Sequence, residues 1–336
     1  MVLGISSGLL LGWSLGANDA ANVFGTAVAT RMVRFATAAK LCAAFVILGG
    51  LVNGPAAMET LGALGQIDTL PGAFATALAP AVTIAVMVRL GMPVSTSQAV
   101  VGALIGYRLV VHGGLDAVTW RLLWTIIFTW AACPILAAAV AFSMYKVTAL
   151  TFRWLPMPLF TLDRWLRFGL VASGCYGAWA LGGNNMANVV GVYARLDLFE
   201  PLRLGPWVLS QTQMLALLGG VAIGLGAATY SYRVMLTVGR DLVQLDAFTA
   251  FIAIFAEALV VDFFAHSWTI GTTVLPAIPV SSTQALIGAI VGIGGARGFH
   301  TMKSHVLGLI VIGWAVTPLV AALLTVVIVP LVLQLV

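Results

Sequence analysis

GANDAANVFG, running from Gly16 to Gly25, returns in the second half of the chain as GGNNMANVVG, from Gly182 to Gly191. A second pair follows in the same order. PVSTSQAVVGALIG spans Pro93 to Gly106, and PVSSTQALIGAIVG spans Pro279 to Gly292. All four place amides, hydroxyls or a carboxylate inside apolar sequence. Polar groups in hydrocarbon are costly unless they bind something. A duplicated polar motif in a membrane chain therefore points to a site built from two halves.

The surroundings of these motifs settle the class. The 336 residues are 61% hydrophobic and only 8% charged, with a mean hydropathy of +1.06. A soluble chain would carry about 25% charged residues. Alternating short strands of the kind a closed barrel needs are not evident, so the reading is an all-α polytopic membrane protein with the lipid bilayer as its partner. A soluble receptor or scaffold is excluded by hydropathy. The first segment has no basic start and no small-residue cleavage pattern, and is not read as a signal peptide. The net charge of +5 reads as positive-inside loops. No nucleic-acid patch is seen. Cys42, Cys133 and Cys175 are scattered in apolar stretches and read as small core residues. His112, His266, His300 and His305 form no metal pair.

Apolar stretches fall at about 2–16, 36–53, 72–90, 97–111, 120–148, 166–181, 207–230, 247–264, 283–295 and 304–334, which predicts about 10–12 membrane-embedded segments. The stretches after Pro93 and Pro279 are about 15 residues each, the length of half-helices or re-entrant segments. The last stretch is long and predicts a break near Pro318. A third match, Trp130 and Pro134 in TWAACP with Trp314 and Pro318 in GWAVTP, completes an internal repeat. The expected organisation is a first repeat over 1–148, a short cytoplasmic linker over 149–165, and a second repeat over 166–336. Lys146, Arg153, Arg164 and Arg167, with Pro156 and Pro158, mark the linker region. Arg31, Arg34 and Lys40 form another basic cluster. Hydropathy alone leaves open whether the halves are parallel or inverted.

In the first motif Asn18 and Asn22 share a face if the segment is helical, and the flanking glycines let the backbone unwind or approach a neighbour closely. Amide oxygens, the Asp19 carboxylate and freed carbonyls form a hard oxygen shell suited to sodium, at Asp19 and Asn18, or to a proton relay. In the second motif proline cannot continue a preceding helix. Ser95, Thr96, Ser97 and Gln98 then open an apolar run, as do Ser281, Ser282, Thr283 and Gln284. Serine and threonine are favoured at helix N-termini, where free N–H groups and the dipole attract anions. Two such ends meeting near the midplane would cradle a small oxyanion.

GANDAANVFGTAV with the downstream PVSTSQ, together with their second copies, resembles the PiT family of inorganic phosphate transporters over nearly the whole chain. The resemblance implies two inverted structural repeats with discontinuous or re-entrant helices, and a central phosphate site with coupling Na+ or H+ and no other cofactor. Carried over by residue, Asn18, Asp19 and Asn22 match the first signature, and Asn184 and Asn188 the second. Ser95, Thr96, Ser97, Gln98, Ser281, Ser282, Thr283 and Gln284 match the serine-threonine segments. It also implies a multi-pass protein of the plasma (inner) membrane and allows a homodimer.

The chain departs from the family at Asn185, where the second signature usually has Asp, which removes one charged cation ligand. Phosphate near neutral pH keeps a proton to donate to a carboxylate, whereas sulfate has none, so this exchange gives weight to sulfate as the alternative substrate. Glu257, in FIAIFAEALVVDFF, could supply the missing charge or carry a proton. Asp262 reads as interfacial, and Glu59 and Asp68 as solvated in a connection. The middle segment is also shorter than in many relatives, which argues against a regulatory domain there. Two other classes fit less well. An anion channel could use the same groups as a filter, but channels usually close a ring from several identical chains, and this chain holds both halves. An intramembrane enzyme would need a base beside a nucleophile, and no histidine lies in an apolar segment to activate these serines.

Overall fold

The computed structural model describes residues 2–89, 94–154, 158–232, 235, 245–298 and 304–335. Pro93, Pro156 and His300 lie outside them. Ten α-helices are described: α1 Val2–Ala29, α2 Phe35–Gly65, α3 Leu70–Arg89, α4 Thr96–Val111, α5 Ala117–Trp154, α6 Leu159–Val190, α7 Gln211–Thr229, α8 Ala247–Ala265, α9 Ser282–Arg297 and α10 Ser304–Gln334. Two short hairpins join them, β1 Leu202–Leu204 with β2 Trp207–Leu209, and β3 Trp268–Ile270 with β4 Thr273–Leu275. Six helices (α2, α3, α5, α7, α8 and α10) are long and apolar enough to cross a bilayer. Their outward faces carry residues such as Phe128, Leu319 and Leu323, all exposed, as lipid contact requires. The chain is an integral, multi-pass helical membrane protein.

Several boundaries differ from the sequence expectation. α1 and α6 run unbroken through the two asparagine motifs, so the glycines there serve close approach and not unwinding. α2 continues past Pro55 to Gly65, which puts Glu59 on a helix, still exposed, while Asp68 is exposed in the short connection. α10 passes through Pro318 without a break, because neighbouring helices in a membrane bundle tolerate a proline's missing N–H. The expected linker is mostly helix: α5 extends to Trp154 and α6 begins at Leu159. With 38 residues, α5 is about 57 Å long at about 1.5 Å per residue, well beyond the hydrocarbon core of about 30 Å. Near its basic end Phe152 packs on Phe248 of α8, and Arg153 and Trp154 are exposed.

The relation between the halves is visible in the glycines. A methyl group on Gly16 of α1 would lie 1.9 Å from the Ile223 carbonyl oxygen of α7, and one on Gly182 of α6 would lie 2.1 Å from that of Val46 on α2. Only hydrogen fits at these crossings, as small-residue helix contacts in membranes require. The second motif pair behaves alike: Gly102 of α4 sits on the Pro318 carbonyl of α10, and Gly288 of α9 on the Pro134 carbonyl of α5. Each half thus packs its motif helices onto the other half.

Direction follows from the same contacts. Gly8 lies against Tyr193, just beyond the end of α6, and Gly174 of α6 lies against Phe24, so α1 and α6 run antiparallel. Gly4 lies against Leu70, so α1 and α3 start at one end of the bundle. α4 then doubles back, because Tyr107 near its end reaches Gly72 at the start of α3. α9 doubles back likewise, with Arg297 at its end 3.9 Å from Asp246, the N-cap of α8. These two re-entrant hairpins enter from opposite ends. Arg167 donates to the Met32 carbonyl, which gathers the two basic clusters at one end.

Candidate functional site

The tips of the two hairpins meet in the middle of the bundle. At each tip a serine caps the re-entrant helix: the Gln98 N–H donates to Ser95 Oγ at 3.3 Å, and the Gln284 N–H to Ser281 Oγ at 3.2 Å. Extended backbone at Ser95 and Ser281 sets both caps, as N-cap residues require. The tips are stitched to each other. Ser97 Oγ–H donates to the Val280 carbonyl at 2.9 Å, and Thr283 Oγ–H to the Val94 carbonyl at 3.5 Å. Two helix N-termini, each with its positive dipole end, thereby face a common centre.

The asparagine motifs close around this centre. On α1, Asp19 Oδ1 accepts from the Asn18 amide at 2.9 Å. Asp19 Oδ2 accepts from the Asn185 amide at 3.3 Å and from Ser282 Oγ at 3.1 Å. The Asn22 amide reaches Ser282 at 3.2 Å and Thr283 at 3.3 Å. On α6, the Asn188 amide donates to Ser97 at 2.9 Å and to Asn185 Oδ1 at 2.8 Å. Asn22 thus binds the second-half hairpin and Asn188 the first-half hairpin, a reciprocal exchange.

The exchange fails at one point. Asn184 clamps the backbone of Val280, donating to its carbonyl and accepting from its N–H, both at 2.8 Å. Asn18, at the matching place in the first motif, bonds its neighbour Asp19 just as Asn184 bonds Asn185 at 3.3 Å, but makes no such clamp on Val94 among the described residues. The Val94 and Val280 backbones are members of the site that side-chain reasoning missed. Each lies between the motif's proline and its first serine, which is the only signal for them in the sequence.

Every predicted residue of the four motifs is buried. Thr96 Oγ, Gln98 Oε1, Asn188 Oδ1 and Gln284 Oε1 have no partner among the described residues. Buried polar atoms are rarely left so, and orphans crowded around paired helix ends mark the place of a ligand. Asp19, 3% exposed, is held by amides and a hydroxyl, and no ion pair among the described residues includes it. A buried carboxylate in that condition calls for a cation or a proton.

Glu257 is not brought into this network. It is 2% exposed, on α8, with Oε2 unpartnered among the described residues. Asp262, on the same helix, is part-buried and accepts from Tyr176 Oη at 3.0 Å and Asn53 at 3.5 Å, with His266 beside it. No group of three or more His, Cys, Asp or Glu suited to a metal occurs among the described residues.

A helical membrane bundle whose halves bring two capped helix ends and a lone carboxylate to its middle has the build of a membrane transport protein, not of an enzyme. The model of the phosphate transporter family matches residues 15–325, and the chain belongs to that family. A Pyrococcus abyssi protein named as a phosphate permease is 26% identical, over 98% of this chain and 96% of its own. A Rhizobium meliloti protein named as a low-affinity inorganic phosphate transporter is 30% identical, over 92% of this chain and 90% of its own. A solved structure described as a sodium-dependent phosphate transporter superposes with a TM-score of 0.80 at 23% identity, covering 100% of this chain and 99% of that one. That likeness shows the fold.

Proposed function

We propose that this chain is a cation-coupled secondary transporter of inorganic phosphate working by alternating access. The observation that carries the proposal is Asp19, a buried carboxylate set between two helix N-termini and bonded to Ser282 at one of them. The helix ends and hydroxyls attract an oxyanion, and a protonated phosphate oxygen can donate to Asp19. The carboxylate and the anion together hold excess negative charge, which a co-transported cation offsets. Sodium suits the oxygen donors of Asp19, Asn18 and the neighbouring amides. The relatives named as phosphate transporters, and the sodium-dependent one among solved structures, support both choices. The two halves, 1–148 and 166–336, act as inverted repeats. Their re-entrant hairpins entering from opposite ends suit rocking about a fixed midplane site. The basic clusters orient their end of the bundle toward the cytoplasm of a plasma (inner) membrane.

Sulfate is the second reading, favoured by Asn185. Its amide donates to the one carboxylate of the site, which leaves less acceptor capacity for a phosphate proton.

The test is radiolabelled phosphate uptake into proteoliposomes under an inward sodium gradient, a proton gradient, or neither, with excess sulfate as competitor. Uphill uptake that needs sodium and resists sulfate is the expected result. Mere equilibration would make the protein a channel, proton-driven uptake would move the coupling to H+, and sulfate accumulation would overturn the substrate.

A further inference from the structure

The third repeated motif, TWAACP on α5 and GWAVTP on α10, has no role in the network described so far. Its tryptophans, Trp130 and Trp314, are part-buried, yet the indole nitrogen of each is buried and has no partner among the described residues. Trp13 and Trp268, by contrast, donate to Thr229 and to the Phe263 carbonyl. Helix register says what lies opposite the two orphans. On α9, Gly288 meets the Pro134 carbonyl of α5 and Gly292 the Ala138 carbonyl. The step is four residues on both helices, so they run in the same direction, and one turn toward the hairpin tip brings Trp130 level with Gln284. Cys133 Sγ lies 4.0 Å from the Ser281 carbonyl, so α5 still touches the second hairpin at its tip. On α4, Gly102 meets the Pro318 carbonyl of α10 and Gly106 the Ala322 carbonyl, which brings Trp314 level with Gln98. The side-chain oxygens of Gln98 and Gln284 are among the orphaned atoms of the site. An unpartnered donor thus stands level with an unpartnered acceptor twice, once for each hairpin, where buried polar atoms are rarely left so.

Each glutamine follows directly on a residue of the central network, Gln98 on Ser97 and Gln284 on Thr283, so it stands between the centre and its tryptophan. A side-chain amide has an accepting end and a donating end, whereas indole only donates. The indole can therefore take only the accepting end. That turns the amide's two N–H donors toward the centre, where an oxyanion needs donors. The opposite orientation would set a carbonyl oxygen against negative charge. Neither bond is closed in this structure, since both atoms of each pair lack a partner among the described residues. We propose that Trp130 and Trp314 are positioning residues of the transport site. When an oxyanion binds, each indole N–H takes the side-chain carbonyl of the glutamine level with it, Gln284 and Gln98 respectively, and so presents the amide N–H groups to the anion. This role rests on the oxyanion reading of the site given above. Packing alone would be served by phenylalanine at both positions.

The test measures phosphate and sulfate binding to the purified full chain in mild detergent by titration calorimetry, alongside uptake kinetics in proteoliposomes. Trp130→Phe and Trp314→Phe remove the N–H and keep an aromatic ring. Each should weaken anion binding about fivefold, the effect of one hydrogen bond. The uptake KM should rise to match while Vmax stays nearly unchanged. Trp124→Phe, at an exposed position on α5, should change none of these. In double-mutant cycles, Trp130→Phe with Gln284→Leu, and Trp314→Phe with Gln98→Leu, should weaken binding little more than the glutamine change alone. The crossed combinations, Trp130→Phe with Gln98→Leu and Trp314→Phe with Gln284→Leu, should be additive. Unchanged affinity in either phenylalanine variant, or the same additivity in matched and crossed pairs, would overturn the proposal. If a phenylalanine variant is not monodisperse, benzothienylalanine at the same position exchanges only the N–H for sulfur and carries the same expectation. Binding of neither anion by the unmodified chain would overturn the oxyanion reading itself, and this role with it. Intact binding that ignores the tryptophans would overturn this role alone.

Discussion

Asp19 and Asn185 hold matching positions in the two motifs and touch at the centre of the bundle, the Asn185 amide donating to Asp19 Oδ2 at 3.3 Å. Two carboxylates in such contact would repel by about 4 kcal/mol at an effective dielectric near 20. Amide against carboxylate turns that repulsion into a hydrogen bond, and leaves the network with a single acid to neutralise.

Restoring a second acid therefore has a defined consequence. In Asn185→Asp two negative groups face each other, and the site needs one more cation before phosphate enters. Uptake measured against sodium concentration should steepen, from a Hill slope of about 1 toward about 2. The phosphate-to-sulfate uptake ratio should rise in the same protein, because another carboxylate accepts from a protonated anion and repels an unprotonated one. If neither quantity moves, the link between position 185 and substrate choice is wrong.

Asp19→Asn should remove the coupling charge while preserving shape. The substituted amide can still bond Asn185 and Ser282, so insertion and monodispersity in detergent should be unchanged. Gradient-driven uptake should fall by at least about tenfold, as loss of a charged partner to a bound cation implies. A correctly folded Asp19→Asn protein that still accumulates phosphate uphill would remove Asp19 from the mechanism.

The broken exchange at Asn184 separates two residues that look equivalent in the sequence. Asn184→Ala strips two hydrogen bonds from the Val280 backbone and leaves its buried N–H wanting, while Ser97 still serves the carbonyl, a cost of about 1–3 kcal/mol. Asn18→Ala removes one amide from a carboxylate that keeps two other donors, and should cost about 1 kcal/mol. Thermal unfolding in detergent should rank Asn184→Ala clearly below Asn18→Ala. Equal losses would mean that the clamp on Val280 does not secure the second hairpin.

Much of this site is legible in the sequence because it is written twice. A polar motif repeated in apolar surroundings is conspicuous, and the serine caps at 95 and 281 follow from local rules alone. The rest is hidden for physical reasons. Hydropathy does not record direction, so the antiparallel course of α1 and α6 is visible only in contacts such as Gly8 with Tyr193. Backbone groups carry no residue type, which hides the Val94 and Val280 carbonyls. Glycines inside helices suggest unwinding and close approach equally, and only the packed structure shows that Gly16 and Gly182 serve approach. Glu257 is buried as its apolar neighbours suggest, yet which neighbours a helix turns it toward depends on packing between α8 and the helices α1, α2, α5, α6 and α9.

The crossings of α4 with α10 and of α9 with α5 make the last prediction, because they decide whether the hairpins are held by the opposite halves. A methyl on Gly102 would lie 2.1 Å from the Pro318 carbonyl oxygen, and one on Gly288 would lie 2.2 Å from that of Pro134. Backbone oxygens in mid-helix cannot swing aside as a flexible side chain can, so each Gly→Ala must push two helices apart. Overpacking of this kind costs about 1–3 kcal/mol, against the gain of up to about 1 kcal/mol that alanine ordinarily brings to a helix. Gly308, on α10 with no atom among the described residues near enough to meet a methyl, supplies the control, and its alanine variant should be neutral or stabilising. Thermal unfolding should show Gly102→Ala and Gly288→Ala lowered by similar amounts, because the two crossings are copies of each other. A large loss at one and none at the other would show that only one hairpin is anchored across the halves. The unanchored one would then be the element free to move when the site opens to either side of the membrane.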